Sequence, residues 1–545
     1  MARAAELPRF SIVTPVYETP EHVLREMLAS VQAQTFDDWE HCLVDDGSTA
    51  PHVQAVLRKA AAEDARVRVT KRAQNGGIVA ASNDAFAVAR GEFVVLLDHD
   101  DTIHPDALRL AHEALAANPE ADYLYTDEDK IDEAGRLSAP FFKPDWSPER
   151  MRTQMYTCHM SVFRADLVRE VGGFHQEFEG SQDWDLVLRV TARARQVLHI
   201  PQVLYHWRTL ATSTAAGGEA VKPWAYDAAT RAIQAHCDRT GVEATVTRDE
   251  VLSGIYHLQP KLTRTPKVSI VIPTGARTRE VRGIETTLIN HCVTSIVETT
   301  TYPDYEIVVV VDGEAGGPLA DELAAIAGDR LKLVPFPRTF NFSQKCNVGV
   351  LSSEGEHVLL LNDDMEIITP DWLDRMVMYS QLPGVGAVGA KLVFGDGRLQ
   401  HVGVVFDGIG PGHVYRGYPR DYGGYFSNAL LACNYSAVTG ACLMSKRSVF
   451  DEVGGLSPQL PLNFNDIDYC LKLRSRGHRV VYDPDTLLYH FESSSRSSAV
   501  SEWEHKFLLD RWGNVPGHDP YFNPNLNGNS VDFVPPVYLS DGSVA

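Results

Sequence analysis

Two acidic clusters, each closing an apolar run, are the residues of this chain best suited to chemistry. Phe93-Val94-Val95-Leu96-Leu97 runs into Asp98-His99-Asp100-Asp101, and Val358-Leu359-Leu360-Leu361 runs into Asn362-Asp363-Asp364-Met365. A short apolar run bounded by polar residues fits a buried strand, and its carboxyl end is where open α/β sheets bind ligands. A hard divalent cation takes oxygen ligands, and one or two carboxylates with substrate phosphates is the usual arrangement for Mg²⁺ or Mn²⁺. Aligning the loops by their strands sets Asn362 on Asp98 and Asp364 on Asp100, so Asp100 and Asp364 are the shared carboxylates. One Asp-x-Asp alone reads as a solvated turn; its repetition in matched context favours a ligand site.

Downstream of each loop, a second acidic cluster opens a helical run: Gln182-Asp183-Trp184-Asp185-Leu186 and Asn465-Asp466-Ile467-Asp468-Tyr469. Each follows a glycine turn, Val171-Gly172-Gly173-Phe174 or Val453-Gly454-Gly455-Leu456. An aspartate in a first helical turn caps orphan N–H groups and complements the dipole. A carboxylate held near an acceptor hydroxyl is a general base. The two roles divide here, with Asp185 and Asp468 structural and Asp183 and Asp466 catalytic. A third element repeats a histidine after a short extended segment, in Leu204-Tyr205-His206-Trp207-Arg208 and Leu488-Tyr489-His490-Phe491-Glu492. His206 and His490 read as further metal ligands through imidazole nitrogen, which tilts the preference toward Mn²⁺.

The elements that must position these groups also occur twice. Phe10 to Val16 and Val268 to Thr274 are short β-branched strands interrupted by Pro15 and Pro273. Second strands end in Asp45-Asp46-Gly47-Ser48 and Asp312-Gly313, with a helical pattern between first and second strand, Glu21 to Gln34 in copy one. Further helical stretches lead through Asn75-Gly76-Gly77 to Asn83 and through Asn341-Phe342-Ser343 to Asn347. Strand, helix and strand in this order predict right-handed βαβ units and a mainly parallel sheet in each copy. Pro223 to Arg239 closes the first copy as a helix. We expect an N-terminal domain over 1–240, a connector over 241–266, a C-terminal domain over 267–513 and an irregular tail over 514–545.

Composition narrows the class. A chain of 545 residues exceeds the usual single domain, and 44% hydrophobic with 22% charged residues is ordinary for a globular protein. Fifty Lys and Arg against 72 Asp and Glu give a net charge of -22, which opposes attraction to nucleic acid or anionic lipid. The eight cysteines are scattered without a metal-ligand spacing. No secretory h-region and no run of ~20 apolar residues is present, so the expectation is a cytoplasmic protein without a transmembrane segment. P-loop, dinucleotide, G-x-S-x-G and H-E-x-x-H patterns are missing as well.

Taken together, the strand with Pro15, Asp45-Asp46-Gly47-Ser48, Asp98-His99-Asp100-Asp101, Gln182-Asp183-Trp184-Asp185 and His206 resemble the family 2 inverting glycosyltransferases of the GT-A fold. Asn362-Asp363-Asp364, Thr439-Gly440-Ala441, Asn465-Asp466-Ile467-Asp468 and His490 carry the same resemblance in the second copy. The tandem layout is similar to bacterial two-domain enzymes that build O-antigen and related surface polysaccharides. The resemblance implies an α/β fold of two consecutive GT-A domains (nucleotide-diphospho-sugar transferase, Rossmann-like), each a mainly parallel sheet flanked by helices.

It also implies roles. Asp45 would contact the nucleotide base near Pro15, Tyr17 and Glu18, and Asp98 the ribose side. Asp100 and His206 would hold Mn²⁺ or Mg²⁺ on the diphosphate, and Asp183 would take the proton of the attacking hydroxyl. The parallel set is Pro273, Asp312 and Asn362 for the donor, Asp364 and His490 for the metal, and Asp466 as base. The implied partners are a UDP-, dTDP- or GDP-linked hexose or deoxyhexose and a glycan or lipid-linked glycan acceptor. A lipid-linked acceptor would bring a cytoplasmic enzyme to the inner face of the cell membrane. Copy two departs at Asn362, at the single Asp312 and at Thr274-Gly275-Ala276, where Tyr17 has no aromatic counterpart, so two related centres would handle different donors or steps. One catalytic copy beside a scaffolding copy is the main alternative. A sugar nucleotidyltransferase, which would release pyrophosphate, ranks below it, and a hydrolase with paired carboxylates ranks last.

Overall fold

The computed structural model describes residues 7–209, 223–314, 316–407, 410–491, 501–513 and 519–536. The first half folds around β1 (Phe10–Val16), β2 (Trp39–Asp45), β3 (Val67–Lys71), β4 (Phe93–Leu96), β5 (Thr102–Ile103), β6 (Ala121–Ile131), β7 (Leu137–Phe141), β8 (Ser161–Arg164) and β9 (Gln196–Arg208). They form one sheet in the order β3-β2-β1-β4-β8-β6-β9-β5, with β7 on β6. The central strands bury nearly every side chain, as parallel strands covered on both faces do.

A helix, Pro223–Thr240, and a hairpin of β10 (Ala244–Arg248) and β11 (Tyr256–Pro260) lead to the second half. There β12 (Val268–Thr274), the small hairpin of β13 (Thr278–Val281) and β14 (Ile284–Thr287), β15 (Tyr305–Asp312), β16 (Leu331–Phe336), β17 (His357–Leu361), β18 (Met365–Ile367) and β19 (Val385–Val393) follow. The series ends with β20 (Leu399–His401), β21 (Val404–Phe406), β22 (Pro411–His413), β23 (Cys433–Asn434), β24 (Cys442–Lys446) and β25 (Arg479–His490). Its sheet runs β16-β15-β12-β17-β24-β19-β25-β18, the first order repeated strand for strand. In both, the chain goes outward on one side from the first strand and crosses to the other at β4 or β17, so the switch point lies at the ends of β1/β4 and β12/β17.

The repeat extends to buried polar contacts. Ser11 donates to Glu40 at 2.7 Å and accepts from the Gly91 N–H at 2.7 Å. Ser269, Glu306 and Gly355 repeat this at 2.6 and 2.7 Å. A side chain at Gly91 or Gly355 would place its Cβ 2.6 Å from the backbone nitrogen of that serine's residue, which requires glycine there. Asn83 pairs with both backbone groups of Phe174 at 2.9 Å, and Asn347 does the same with Leu456 at 2.8 and 2.9 Å. These asparagines tie the third-strand-to-fourth-strand helix to the glycine turn ahead of each second acidic cluster.

The halves share one apolar core that runs through the connecting hairpin, where Trp184 meets Tyr256 edge to face at 5.2 Å. Glu149, fully buried, accepts from Arg479 at 3.1 Å across the junction, and Phe141 stacks on Phe426 at 3.8 Å. Residues 519–536 contain no helix or strand and cross back to the first half, where Asn523 donates to Asp127 and to the Lys143 carbonyl at 2.9 Å. Among the described residues no helix is long and apolar enough to cross a membrane. Glu492 and parts of the tail after Asn514 lie outside the described residues.

Candidate functional site

In the first half the switch point opens as a cleft whose lining includes Pro15 from β1, Asp98 from the loop after β4, His159 from the entry to β8, and Gln182 and Asp183 from the helix Gln182–Thr191. Burial raises the Asp183 carboxyl above its ordinary range, with the Asp98 charge adding to the rise and His159 opposing it. Asp185, two residues on, is fully buried and held by Arg189 through two bonds of 2.8 and 2.6 Å. Asp468 is held likewise by Ser457 at 2.6 Å and the Trp512 indole at 2.9 Å. The inner aspartates therefore fasten the helix, while Asp183 faces the cleft.

The acidic loop converges on a histidine that the motif reading did not single out. Carboxylate oxygens of Asp98 and Asp101 and a ring nitrogen of His159 all lie within 4.8 Å of one another, a donor set that fits a divalent cation. The other ring nitrogen, Nδ1, meets Glu128 at 3.3 Å, the carboxylate–imidazole support that orients metal-binding histidines. Burial alone would raise Glu128, but the Lys143 ammonium at 3.1 Å and His159 bring it down to about 2. Burial works against the His159 imidazolium, yet Glu128 outweighs it and lifts the ring to about 9. Asp101 is buried, accepts from the Tyr205 phenol at 2.5 Å and the Arg208 N–H at 2.7 Å, and is pushed well up by burial and by Asp100 and Asp98. Asp100 is raised by burial and by Asp98, with His99 opposing.

His206 is elsewhere. Its Nδ1 meets Asp129 at 2.6 Å, and among the described residues it makes no pair with Asp100. Strand register explains this and corrects the correspondence drawn from the Leu-Tyr-His strings. Ile103 pairs with Tyr205, whereas its counterpart Ile367 pairs with Leu488, so Tyr205 answers to Leu488, His206 to Tyr489 and Trp207 to His490. A slip of one residue moves a strand's side chains to the opposite face. Trp207 accordingly stands on the loop side in the first half, its ring 5.3 Å from that of His159.

The second half delivers its imidazole from the other strand. His490 Nε2 lies 3.1 Å from Asp364 and 3.3 Å from the Asn362 amide, and its Nδ1 meets Gln400 at 2.5 Å. With Nδ1 engaged by Gln400, Nε2 is the ring nitrogen turned toward Asp364, where a metal ligand would stand. By the pairing of β4 with β8 and of β17 with β24, His159 corresponds to Ala441, and by loop position Asp101 corresponds to Met365. All three members of the first cluster are thus replaced, by Asn362, Met365 and Ala441. Asp466 accepts from the Gly440 N–H at 2.9 Å, while the Asn362 N–H donates to the Ala441 carbonyl at 3.0 Å. The Thr439-Gly440-Ala441 segment so joins the acidic loop to the second helix cluster.

Of the donor-side residues, Pro15 lines the cleft and Tyr17 is 46% exposed. Glu18 has a left-handed backbone, φ 48°, and accepts from Thr49 N–H at 2.6 Å and its hydroxyl at 2.8 Å. Asp45 is fully buried, accepting from Ser48 N–H at 2.9 Å and from Gln54, so it shapes the turn after β2. Asp46 clamps the Gly76 and Gly77 N–H groups, both at 2.9 Å. In the second half, the Lys345 ammonium bridges Asp312 and the Thr274 carbonyl, both at 2.7 Å, beside Pro273. A buried lysine at the end of β12 and β15 adds a cation that the motif reading had missed.

Residues 11–172 match the family described as Glycosyl transferase family 2, and residues 266–506 match that described as Glycosyltransferase like family 2. The chain is 44% identical to the uncharacterized protein y4gI of Sinorhizobium fredii over 97% of its own length and 58% of that protein's. It is 37% identical to the O-antigen biosynthesis protein RfbC of Myxococcus xanthus over 98% of its length and 41% of that protein's. A chondroitin synthase of Pasteurella multocida is 29% identical over 37% of this chain and 20% of its own. The chain thus spans about half the length of the two curated relatives it matches end to end. With family 2 domains matched in both halves, one sheet order repeated strand for strand and acidic loops at both switch points, the chain belongs to glycosyltransferase family 2.

Proposed function

We propose that the chain transfers sugars from nucleotide-sugar donors to a growing bacterial surface glycan through two metal-dependent, inverting centres, one in each half. The catalytic units are 1–240 and 267–513, joined by the connector 241–266 and followed by the tail 514–545. The observation that carries this reading is the pairing, in each half, of an acidic loop at the switch point with an aspartate at the start of the next helix cluster. Asp98 and Asp183 share one cleft, and Asn362 and Asp466 are bonded through a single three-residue segment. The O-antigen role named for the Myxococcus xanthus relative supports a surface glycan as product.

The chain's own residues supply orientation and proton transfer. Asp183, raised by burial yet facing the cleft, takes the proton of the acceptor hydroxyl, as Asp466 does in the second half with its carboxylate aimed by Gly440. Asp98, Asp101 and His159 would hold a divalent cation in the first half, with Asp100 beside them, and Asp364 and His490 in the second. Such a cation stabilises charge developing on a departing nucleoside diphosphate. Pro15, Tyr17 and Glu18, with Asp45 and Asp46 shaping the turns around them, form the donor side of the first centre, and Pro273, Asp312 and Lys345 that of the second. A lipid-linked acceptor would place this cytoplasmic chemistry at the inner face of the membrane.

Replacement of Asp98, Asp101 and His159 by Asn362, Met365 and Ala441 favours a second reading, in which the second half is a binding or scaffolding domain. A screen of UDP-, dTDP- and GDP-sugars with Mn²⁺ tests the proposal by the product released. Release of a nucleoside diphosphate, abolished by chelator, is expected; pyrophosphate release would mean nucleotidyl transfer instead.

A further inference from the structure

A cleft on the far side of the second sheet carries a buried cation for which the glycosyl-transfer chemistry has no use. It is lined by Lys391 of β19, Arg420, Asp421, His257 of the hairpin, Asp249 and Asp485 of β25. Lys391 pairs across the sheet with Leu487. Side chains alternate along a strand, so Lys391, Leu487 and Tyr489 share the face opposite Leu488 and His490. The cleft is therefore separate from the centre around Asp364 and His490.

Lys391 is only 6% exposed, and among the described residues its ammonium makes no hydrogen bond or ion pair. The carboxylates near it are committed or at the surface. Asp249 and Asp485 are bridged by His257 at 3.0 Å on either ring nitrogen, and Arg375 reaches Asp485 at 3.4 Å. Asp421 is exposed. Arg420, also exposed, has no ion pair among the described residues. Arg375 is shared with Asp371 at 3.0 Å, and His257 is bonded to both Asp249 and Asp485, so Asp421 is the one lining carboxylate among these not already held when Lys391 and Arg420 face the cleft. Burying an ammonium without a partner is costly, and native structures supply one from protein, water or ligand.

We propose that this cleft is a binding site for an oxyanion, a phosphoryl or carboxylate group, seated on the Lys391 ammonium and closed at its rim by Arg420. Burial, with Arg420, holds the Lys391 ammonium down to about 8 while Asp485 and Asp421 oppose the shift, and a bound anion would reverse that depression. The site accordingly selects an anionic ligand group that the donor centres do not need to hold.

Competitive acetylation of the intact chain with peptide mass spectrometry reads the reactivity of Lys391 against that of the other lysines. Inorganic phosphate and acetate are added separately, each against chloride at equal ionic strength. At ten times its dissociation constant a bound anion should slow Lys391 labelling about tenfold. Protection by phosphate alone assigns a phosphoryl group, and protection by both assigns either oxyanion. In the Arg420→Gln variant, whose exposed position leaves the fold intact, the anion should bind about two- to fivefold more weakly. Labelling of Lys391 that neither anion changes would overturn the site, and protection untouched by Arg420→Gln would overturn its two-cation form.

Discussion

His257 offers a quantitative test of how the connecting hairpin is locked to the second half. Its ring lies 3.0 Å from Asp249 of the hairpin turn and 3.0 Å from Asp485 of β25. Burial works against its charge, but the bonds to Asp485 and Asp249 prevail and lift the imidazole from 6.5 to about 9. The folded value exceeds the unfolded one, so this stabilisation is fully present below about pH 6.5 and is lost as pH rises through about 9. A shift of that size, at about 1.4 kcal/mol per unit, corresponds to about 3 kcal/mol. His257→Asn removes the titration while keeping a polar side chain. Urea unfolding of both proteins at pH 6 and pH 9.5 should show the stability gap narrowing by about 3 kcal/mol at the higher pH. A gap that changes by less than about 1 kcal/mol would refute the reasoning, since the two carboxylates would then not be holding a proton on the ring.

Three further outcomes follow from single contacts. Glu149→Gln leaves Arg479 and Arg152 without their buried counter-charge and should cost about 3–5 kcal/mol in denaturant unfolding; a loss near zero would show that the halves do not depend on it. Glu128→Gln and Gln400→Leu, which remove the supports of His159 and His490, should each weaken manganese binding in their own half by about 10–100-fold in calorimetry, and unchanged affinity would place the metal elsewhere. Gly91→Ala forces a Cβ onto the Ser11 backbone and should destabilise by about 1–3 kcal/mol in thermal unfolding.

Much of this architecture can be read from spacing because it is local and repeated. The Pro15 and Pro273 strands, the loops at Asp98 and Asn362 and the helix clusters at Asp183 and Asp466 all lie where buried runs and glycine turns point. The histidines were harder for a physical reason. His206 and His490 sit in matching strings, but β9 and β25 meet their edge strands one residue out of step, and a one-residue step changes the face. His159 had no repeat to reveal it, because its counterpart is Ala441. The Thr439-Gly440-Ala441 string was the available signal, since strand pairing sets it on Thr157-Cys158-His159. The buried ions Glu128, Lys143 and Lys345 gave no sequence signal, because long-range pairing alone makes their burial tolerable.

The central claim is that both halves transfer sugar. Asp183→Asn and Asp466→Asn preserve shape while removing each proposed base, and they can be assayed separately and together with the donors that release nucleoside diphosphate. The account predicts that each single variant loses one transfer activity by about 10²–10⁴-fold and keeps the other, and that the double variant loses both. A single variant that retains every transfer of the parent would contradict it.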